Sequence, residues 1–314
     1  MRTRLLSTCQ VDNIRFVSYL RQNMLVAASP DKLMWCLVRD STVEVVRHSC
    51  HGGRSFPLFP LHEHAQAAFQ LEHGPEDYSL QLLDEEGFRG RPIPIPFSWI
   101  NQVTADSSGS VLAVFGSVLV PGRAGWIAPI ESCLIDMESG NLQRLPYSAV
   151  ALQGDVLYFV QDRTLYKRRL SSSRRLAQMS DASSSPDATD VIASDIPSAV
   201  ITLAPRNGSV RVVTTDGLYA VSSSGVTTVH RWEAATRALV CGDVCFARDI
   251  GPDVQMYDAK KHAASCVTSS PKTQVTGFDA LYSSRGDDAD EGLLMIVSEK
   301  GVLDRFSWSS SDEK

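Results

Sequence analysis

Histidines suited to metal chemistry lie close together in the first quarter of the sequence. His62 and His64 are two residues apart, so on a β-strand their side chains would share one face and could reach one ion. Further nitrogen and sulfur donors lie nearby in the sequence: His48, Cys50, His51 and His73. The pair lies in a proline-rich connection, and no acidic ligand set follows at a suitable spacing. We therefore expect solvated loop histidines rather than a metal site.

The cysteines bear on both chemistry and compartment. There are seven, mostly inside apolar segments, at positions 9, 36, 50, 133, 241, 245 and 266. An odd number in such positions argues against a secreted disulfide framework, and the first residues lack the apolar run of a secretory signal. We therefore expect a reducing compartment, either the cytoplasm or the nucleus. Cys241 and Cys245 lack the second pair that a zinc site needs, and Cys245 is expected in the core.

Motifs of well-known catalytic centres are absent from the sequence. It contains no G-x-S-x-G turn, no P-loop, no G-x-G-x-x-G after a strand and no H-E-x-x-H. Four acidic residues near the C-terminal end could bind Ca²⁺, but their spacing does not match an EF-hand loop. They are Asp287, Asp288, Asp290 and Glu291. The sequence therefore predicts no catalytic residues, no metal, and no small-molecule cofactor or residues to bind one.

A local cluster of basic residues is the strongest candidate for binding. Its members are Arg163, Lys167, Arg168, Arg169, Arg174 and Arg175. The whole chain has a net charge of -6, so a basic character overall, typical of nucleic-acid binders, is missing. The cluster could bind phosphate, RNA or an acidic partner segment. The alternative is a solvated edge neutralised by the acidic residues that follow it. Ser171, which follows Arg168 and Arg169, resembles a basophilic-kinase acceptor.

Two proline-containing apolar segments are candidates for binding an apolar partner. Residues 56–61 read FPLFPL and residues 92–96 read PIPIP. Proline has no N–H, so these segments are expected to be edge strands or loops. They would either present Phe56, Phe59 and Ile95 to a partner or pack against their own sheet. The sequence leaves these two alternatives open.

The elements that position these residues are predominantly β-strands. The chain has 314 residues, of which 43% are hydrophobic, and lacks an apolar run near the length of a membrane span. Helical periodicity is nearly absent, whereas short runs of β-branched and aromatic residues alternate with turns of Gly, Asp, Ser or Asn. This pattern predicts an all-β fold and no association with membranes.

The predicted strands group into seven units of about 45 residues, a period typical of β-propeller blades. Six or eight blades are the alternatives. The last unit lacks a fourth strand, and Arg2–Cys9 precedes the first unit without a sheet of its own. We therefore expect a single domain over residues 1–314 in which the N-terminal strand, residues 2–9, completes the last sheet. Residues 180–198 are expected to form a disordered loop after a strand at Arg174–Met179, and residues 309–314 a flexible tail.

Two segments resemble the turns of the WD40-repeat family. Asp106–Val114 (DSSGSVLAV) is similar to the turn between the first and second strands of a blade, and Leu134–Leu142 (LIDMESGNL) to the turn between the third and fourth. Tyr257–Lys261 is a weaker match to the second turn. The chain has no Trp-Asp dipeptide and no Gly-His pair, so the resemblance is to a divergent member. It implies a seven-bladed, four-stranded WD40-like β-propeller.

The fold and the missing catalytic motifs together predict a non-catalytic scaffold. Such a protein would mediate protein–protein interactions as a subunit of an intracellular multiprotein complex. One alternative is an accessory subunit of an RNA-processing or RNA-modifying complex that uses the basic residues 163–175. A further alternative is a propeller enzyme or small-ligand binder with polar residues converging at the centre. The expected partners are protein subunits, and RNA is a second candidate partner.

Overall fold

The structure is a computed structural model, and it consists almost entirely of β-strands. It describes residues 2–11, 13–39, 42–51, 54–74, 77–119, 127–170, 189–197, 199–206, 208–248, 253–268, 273–284 and 290–310. In these ranges the chain forms 28 strands and a 3-10 helix, and the strands make seven four-stranded sheets. Contacts divide the residues into two compact units, one of residues 1–75, 79–92 and 233–314 and one of residues 76–78 and 93–232. No helix in the described residues is long and apolar enough to cross a membrane.

The first unit contains four sheets, apart from the ends of two strands that fall in the second unit. In chain order its strands are β1 Arg2–Gln10, β2 Phe16–Arg21, β3 Met24–Ala28, β4 Lys32–Val38, β5 Val43–Cys50, β6 Arg54–Leu61, β7 Gln66–Gly74, β8 Asp77–Asp84, β9 Gly87–Ile95, β22 Arg237–Cys241, β23 Val244–Arg248, β24 Asp253–Asp258, β25 Ala263–Thr268, β26 Val275–Ser284, β27 Asp290–Ser298 and β28 Val302–Ser309. The 3-10 helix, His62–His64, follows β6.

The second unit contains three sheets. Their strands are β10 Trp99–Ala105, β11 Val111–Leu119, β12 Ile127–Asp136, β13 Leu142–Leu145, β14 Ala149–Gln153, β15 Val156–Gln161, β16 Thr164–Arg169, β17 Asp190–Ala193, β18 Val200–Arg206, β19 Ser209–Thr214, β20 Gly217–Ser222 and β21 Gly225–Arg231. Each sheet takes four consecutive strands in chain order.

The N-terminal strand completes the last sheet, as the sequence predicted. The sheet order is β1-β28-β27-β26, and β1 pairs antiparallel with β28 from Arg2 opposite Ser309 to Gln10 opposite Val302. The Val11 N–H continues the pairing by donating to the carbonyl oxygen of Gly301 at 3.0 Å. The described chain therefore has the seven sheets of four strands that the repeat period indicated.

The two edge strands of a sheet differ in burial. In the first sheet, β2 buries four of its six residues, whereas β5 buries none of its eight. The first strands of neighbouring sheets also pack against one another within each unit, for example β2 against β6 and β26, or β14 against β10 and β18. We call the edge strand that packs against neighbouring sheets the inner strand and the opposite edge strand the outer strand; in the sheet closed by the N-terminal strand these are β26 and β1. Strands covered on both faces read as continuous apolar runs, which explains why they stand out in the sequence.

Aspartates cap the turns between third and fourth strands. The Oδ1 atom of Asp136 accepts the backbone N–H groups of Glu138 and Ser139 at 2.9 and 3.0 Å. Asp258 and Asp84 occupy the same place in two other sheets and accept two backbone N–H groups each. A carboxylate that bonds its own turn in this way favours a tight connection. The turns predicted at Leu134–Leu142 and Tyr257–Lys261 therefore lie between third and fourth strands as expected, and Asp84 marks a third such turn that was not predicted.

The proline-containing segments are edge strands, one of the two forms expected. Residues 56–61 lie in β6, an inner strand, and residues 92–95 lie in β9, an outer strand of the same sheet. An edge strand pairs on one side only, so proline's missing N–H costs the sheet no hydrogen bond on the free side.

The fourth strand of the β14–β17 sheet differs from the prediction. It is formed by Asp190–Ala193, inside the segment expected to be a loop, instead of by Arg174–Met179. Ala193 and Ile196 are buried, so this end of the segment packs against the sheet. The sequence 180–198 is rich in Ser, Asp and Ala, which concealed the short apolar stretch VIA at 191–193. Residues 171–188 and 311–314 lie outside the described residues, so the rest of the loop and most of the tail remain predictions.

Candidate functional site

The basic residues nominated from the sequence lie along one strand of the second unit. We call Arg163, Lys167, Arg168 and Arg169 the basic edge. Arg163 occupies the turn before β16, and the other three form the second half of that strand. Arg174, Arg175 and Ser171 lie outside the described residues. The structure therefore brings together four of the six nominated basic residues.

Two members of the basic edge are engaged by the segment that follows it. The Arg163 Nε–H donates to the carbonyl oxygen of Ile196 at 3.2 Å, and the Ile196 N–H donates back to the carbonyl oxygen of Arg163 at 2.9 Å. The ammonium of Lys167 lies 3.5 Å from Asp190 Oδ2, in the strand opposite. For Lys167, the alternative is therefore correct that the acidic residues following the basic edge neutralise its charge.

The other two arginines lie on a part of β16 that no described strand pairs with on its outer side. β15 pairs with β16 along its whole length, but β17 pairs only with Leu165, Tyr166 and Lys167. In the described part of the chain, no strand covers the outer side of Arg168 and Arg169, and neither guanidinium pairs with a described carboxylate. Successive residues of a strand point to opposite faces, so the two charges flank this edge from both sides.

The aromatic residue beside these arginines is committed to packing. The ring of Tyr166 stacks on Phe159 with centroids 5.2 Å apart, and Phe159 in turn stacks on Tyr147 at 4.1 Å. Single-stranded nucleic acids bind strongly where aromatic faces are free to stack on bases. One face of the Tyr166 ring is occupied by Phe159, so the basic edge offers mainly charge.

The apolar candidates Phe59 and Ile95 are buried, each 6% exposed. The prediction that Phe59 and Ile95 are presented to a partner is therefore wrong. Both side chains pack within the fold, which was the alternative. Phe59 lies beside the guanidinium of Arg237, whose Cζ is 6.0 Å from the ring centroid. The side chain of Phe56 lies outside the described residues.

A buried carboxylate gathers polar groups from the inner strands of the first unit. Asp279 on β26 is fully buried, and its Oδ2 accepts the backbone N–H of Tyr19 at 2.7 Å and the hydroxyl of Ser18 at 3.3 Å. Its Oδ1 accepts the N–H of Ala280 at 2.8 Å and lies 3.4 Å from Nε2 of His62. Because an inner strand has a free edge, Asp279 satisfies a backbone donor of β2 that no strand pairs.

His62 is a member of this group and not a solvated loop histidine. Its side chain is 25% exposed and faces the buried carboxylate of Asp279. Burial by itself would lower the pKa of His62, but the Asp279 carboxylate, which attracts and hydrogen-bonds the imidazolium, raises it above the ordinary value overall. The proline-rich context suggested a loop, whereas the residue lies in the 3-10 helix that brings it to the centre of the unit.

Arg237 brings a guanidinium to the inner strands. Its Nη2 donates to the carbonyl oxygen of Leu58 at 2.7 Å, and its Cζ is 5.7 Å from the ring of Phe278. Burial lowers the pKa of Arg237 to about 10, an effect that the negative charge of Asp279 opposes, so the guanidinium stays protonated at neutral pH. We call Ser18, Tyr19, His62, Arg237 and Asp279 the inner cluster. Two of its buried nitrogens, Arg237 Nη1 and His62 Nδ1, have no hydrogen-bond partner among the described residues.

The second unit uses an amide for the same purpose. Gln102 on β10 donates from Nε2 to the carbonyl oxygen of Leu203 at 2.8 Å and accepts the Leu203 N–H at Oε1 at 2.9 Å. Leu203 lies on β18, an inner strand two sheets further along the chain. The side chain therefore pairs with a backbone edge as another strand would, and both of its polar atoms are used.

The polar groups of the inner strands thus act mainly on the fold itself. No group of three or more His, Cys, Asp or Glu that could hold a metal ion occurs among the described residues. Burial raises the pKa of the Cys36 and Cys133 thiols to about 12, which keeps both protonated and poorly nucleophilic. The sequence signal for the inner cluster was a single charged residue within an apolar strand, such as Asp279 in GFDALY.

Solved structures with the same fold are WD40 β-propellers. The WD40 β-propeller domain of Doa1 matches with a TM-score of 0.58 and 12% identity, covering 99% of this chain and 98% of that one. The β-propeller domain of Cps50 (Swd1) from Myceliophteria thermophila matches with a TM-score of 0.65 and 12% identity, covering 98% and 100%. No protein-family model and no curated protein sequence matches the chain. The fold is therefore a divergent WD40-like β-propeller with seven four-stranded blades.

Proposed function

We propose that the protein is a non-catalytic scaffold subunit of an intracellular multiprotein complex. In this function the blades provide a rigid frame, and the basic edge binds an acidic, extended segment of a partner subunit. A preformed surface loses little conformational entropy on binding, which favours affinity for a flexible partner. The observation that carries the proposal is the edge of β16 at Arg168 and Arg169, with which no strand of the described residues pairs.

The inner strands support a role without catalysis. Asp279 and Gln102 are polar groups on the inner strands of the first and second unit, and each is bonded to the backbone of another inner strand of its own unit. A general acid or base must be able to reach the proton that it transfers. Groups already committed to backbone hydrogen bonds lack this freedom, so the inner cluster is better suited to stabilising the fold.

The charge and shape of the basic edge support an acidic partner. Guanidinium groups bind carboxylates through paired hydrogen bonds, and Arg168 and Arg169 offer two such groups on either side of one strand edge. A partner strand lying along this edge would place acidic side chains on both faces within reach. Arg163 and Lys167 contribute less, because their polar groups already bind residues 190–196.

Affinity purification with mass spectrometry tests the proposal. We expect the wild-type chain to recover partner subunits, and the double variant Arg168→Glu/Arg169→Glu to lose the acidic one. The matched control is Arg4→Glu/Arg91→Glu, which makes the same charge change at exposed positions on β1 and β9. Binding should also weaken as salt is raised, because exposed charges are screened. Retention of every partner by the Arg168/Arg169 variant would refute the proposed surface.

The same purified chain distinguishes an acidic protein from RNA. Because Tyr166 is stacked on Phe159, we expect no binding of a fluorescent single-stranded RNA, even at low salt. Salt-dependent RNA binding that is lost in Arg168→Glu/Arg169→Glu would instead favour an accessory subunit of an RNA-processing complex.

A further inference from the structure

The outer strands of the seven sheets present free edges that other chains could pair with. An exposed edge strand invites pairing, and proteins suppress it with charged residues, prolines, bulges or very short strands. Six of the seven outer strands in the described chain carry at least one such feature. They are β1 with Arg2, Arg4 and a bulge; β5 with Glu44, Arg47 and a bulge; β9 with Arg89, Arg91 and two prolines; β13 with Arg144; β17 with Asp190; and β21 with Arg231 and a bulge.

The seventh outer strand, β25, has none of these features. Its sequence, Ala263–Thr268 (AASCVT), contains no charge and no proline. It pairs with β24 in an unbroken register from Asp253 opposite Thr268 to Asp258 opposite Ala263. β24 is its one hydrogen-bonded neighbour in the described chain, and Ala264 and Cys266 are exposed. A regular, uncharged edge of six residues is therefore open for pairing.

We propose that β25 pairs antiparallel with β25 of a second copy of this chain, about a two-fold axis near Cys266. In such an arrangement residues 264–268 of one copy lie opposite residues 268–264 of the other, so any charged side chain would lie opposite or near its own copy. β25 contains none, and its exposed side chains are small, so the two copies can approach without repulsion or steric conflict. A partner recognised by charge would find no counter-charge on this strand.

Pairing of this kind is self-limiting. Among its described strands each chain offers one such edge, and a two-fold pairing uses the edge of both copies, so the product is a closed dimer and not a fibre. A single pair of short strands buries less surface than a standard stable interface, so the dimer forms reversibly and depends on concentration. This inference goes beyond the proposed scaffold function and does not depend on it, because it concerns a different sheet and a different binding partner.

Sedimentation equilibrium of the purified chain measures the dimer directly. We expect a reversible monomer–dimer equilibrium for the wild type. Cys266→Lys should raise the dimer dissociation constant by about tenfold or more, because like charges then face each other across the strand pair. Cys266→Ser, which keeps a small uncharged side chain, should dimerise like the wild type. Thermal melts of both variants establish that the monomer fold is intact.

Cross-linking identifies the strand that pairs. A short bismaleimide, which adds one thiol to each of its two rings, should join two chains through Cys266. Cys50 is the other exposed cysteine, so the Cys50→Ser variant should still cross-link and the Cys266→Ser variant should not. The proposal is overturned by a wild-type chain that stays monomeric at its highest attainable concentration, by open-ended oligomers, or by a folded Cys266→Lys variant that dimerises unchanged.

Discussion

Asp279 illustrates how one charged residue is tolerated at the centre of a β-fold. A buried carboxylate is costly unless hydrogen bonds and opposite charge compensate for its lost hydration. Asp279 accepts hydrogen bonds from two backbone N–H groups and one hydroxyl, and the imidazole of His62 and the positive charge of Arg237 lie nearby. Its charge therefore stabilises the inner strands of several sheets at once.

The contact between His62 and Asp279 makes stability depend on pH. The pKa of His62 is raised in the folded state, so protonation favours folding. Its contribution is complete below the unfolded-state pKa of about 6.5 and is lost as the pH rises through the folded-state value. We expect the wild type to exceed His62→Gln in free energy of unfolding most at the acidic end, with the difference shrinking towards alkaline pH. Urea unfolding of both proteins over a pH series measures it.

His230 provides a control of opposite sign. Burial lowers the pKa of His230, so the neutral form favours folding, and its contribution falls as the pH is lowered. The stability of the wild type relative to His230→Gln should therefore decrease towards acidic pH. A difference between wild type and His62→Gln that does not vary with pH would contradict the proposed charge interaction.

Middle strands could be predicted from the sequence, whereas edge strands often could not. Val111–Leu119 and Val156–Gln161 have neighbours on both sides, and their continuous apolar runs predicted them well. β17 has only Asp190–Ala193 to indicate it, because an exposed outer strand needs few apolar residues. β6 contains two prolines that a fully paired strand would exclude.

One candidate site consists of residues close together in the sequence, and the other consists of residues far apart in the sequence. The basic edge could be read from the sequence, because its residues are consecutive on one strand. The inner cluster joins Tyr19, Arg237 and Asp279, which come from three different sheets, and His62 from the 3-10 helix. Sequence spacing does not encode which inner strands lie side by side, so these residues could not be grouped before the structure was known.

Position 292 on β27 requires glycine, because neighbouring strands of the last sheet approach it closely. A Cβ atom at Gly292 would overlap the carbonyl oxygen of Leu281 and lie 2.6 Å from Cζ2 of the buried Trp308. Gly292→Ala should therefore destabilise the protein by about 2 kcal/mol, since neither the backbone nor the packed indole can move freely.

The matched control is Gly74→Ala, where a Cβ meets nothing within 4 Å. Its effect should be within about 1 kcal/mol and stabilising if anything. Chemical denaturation of the two variants measures the difference, and equal effects would contradict the packing argument.

At the scale of the whole molecule, the first and last strands of the chain hold the same sheet together. Beyond the ladder of β1 and β28, the hydroxyl of Thr8 donates to Asp304 Oδ1 at 2.7 Å, and Gln10 Nε2 donates to the carbonyl oxygen of Lys300 at 2.7 Å. Asp304 is 1% exposed, so this carboxylate depends on internal donors. Removing β1 would leave Asp304 without the Thr8 donor and turn β28 into an exposed edge.

Deletion of residues 1–10 tests this closure, and a peptide supplied in trans shows whether pairing is the cause. We expect the truncated chain to melt at a lower temperature and to self-associate through the free edge of β28. A synthetic peptide of residues 2–11 should restore the melting temperature in a concentration-dependent manner, because a ligand that binds only the folded state stabilises it by mass action. The Thr8→Ala peptide should restore the melting temperature less, since Asp304 then lacks the Thr8 hydroxyl, and a scrambled peptide should have no effect.

A truncated chain as stable as the intact one would show that β1 is dispensable. Rescue by the scrambled peptide would show that the effect is not due to strand pairing.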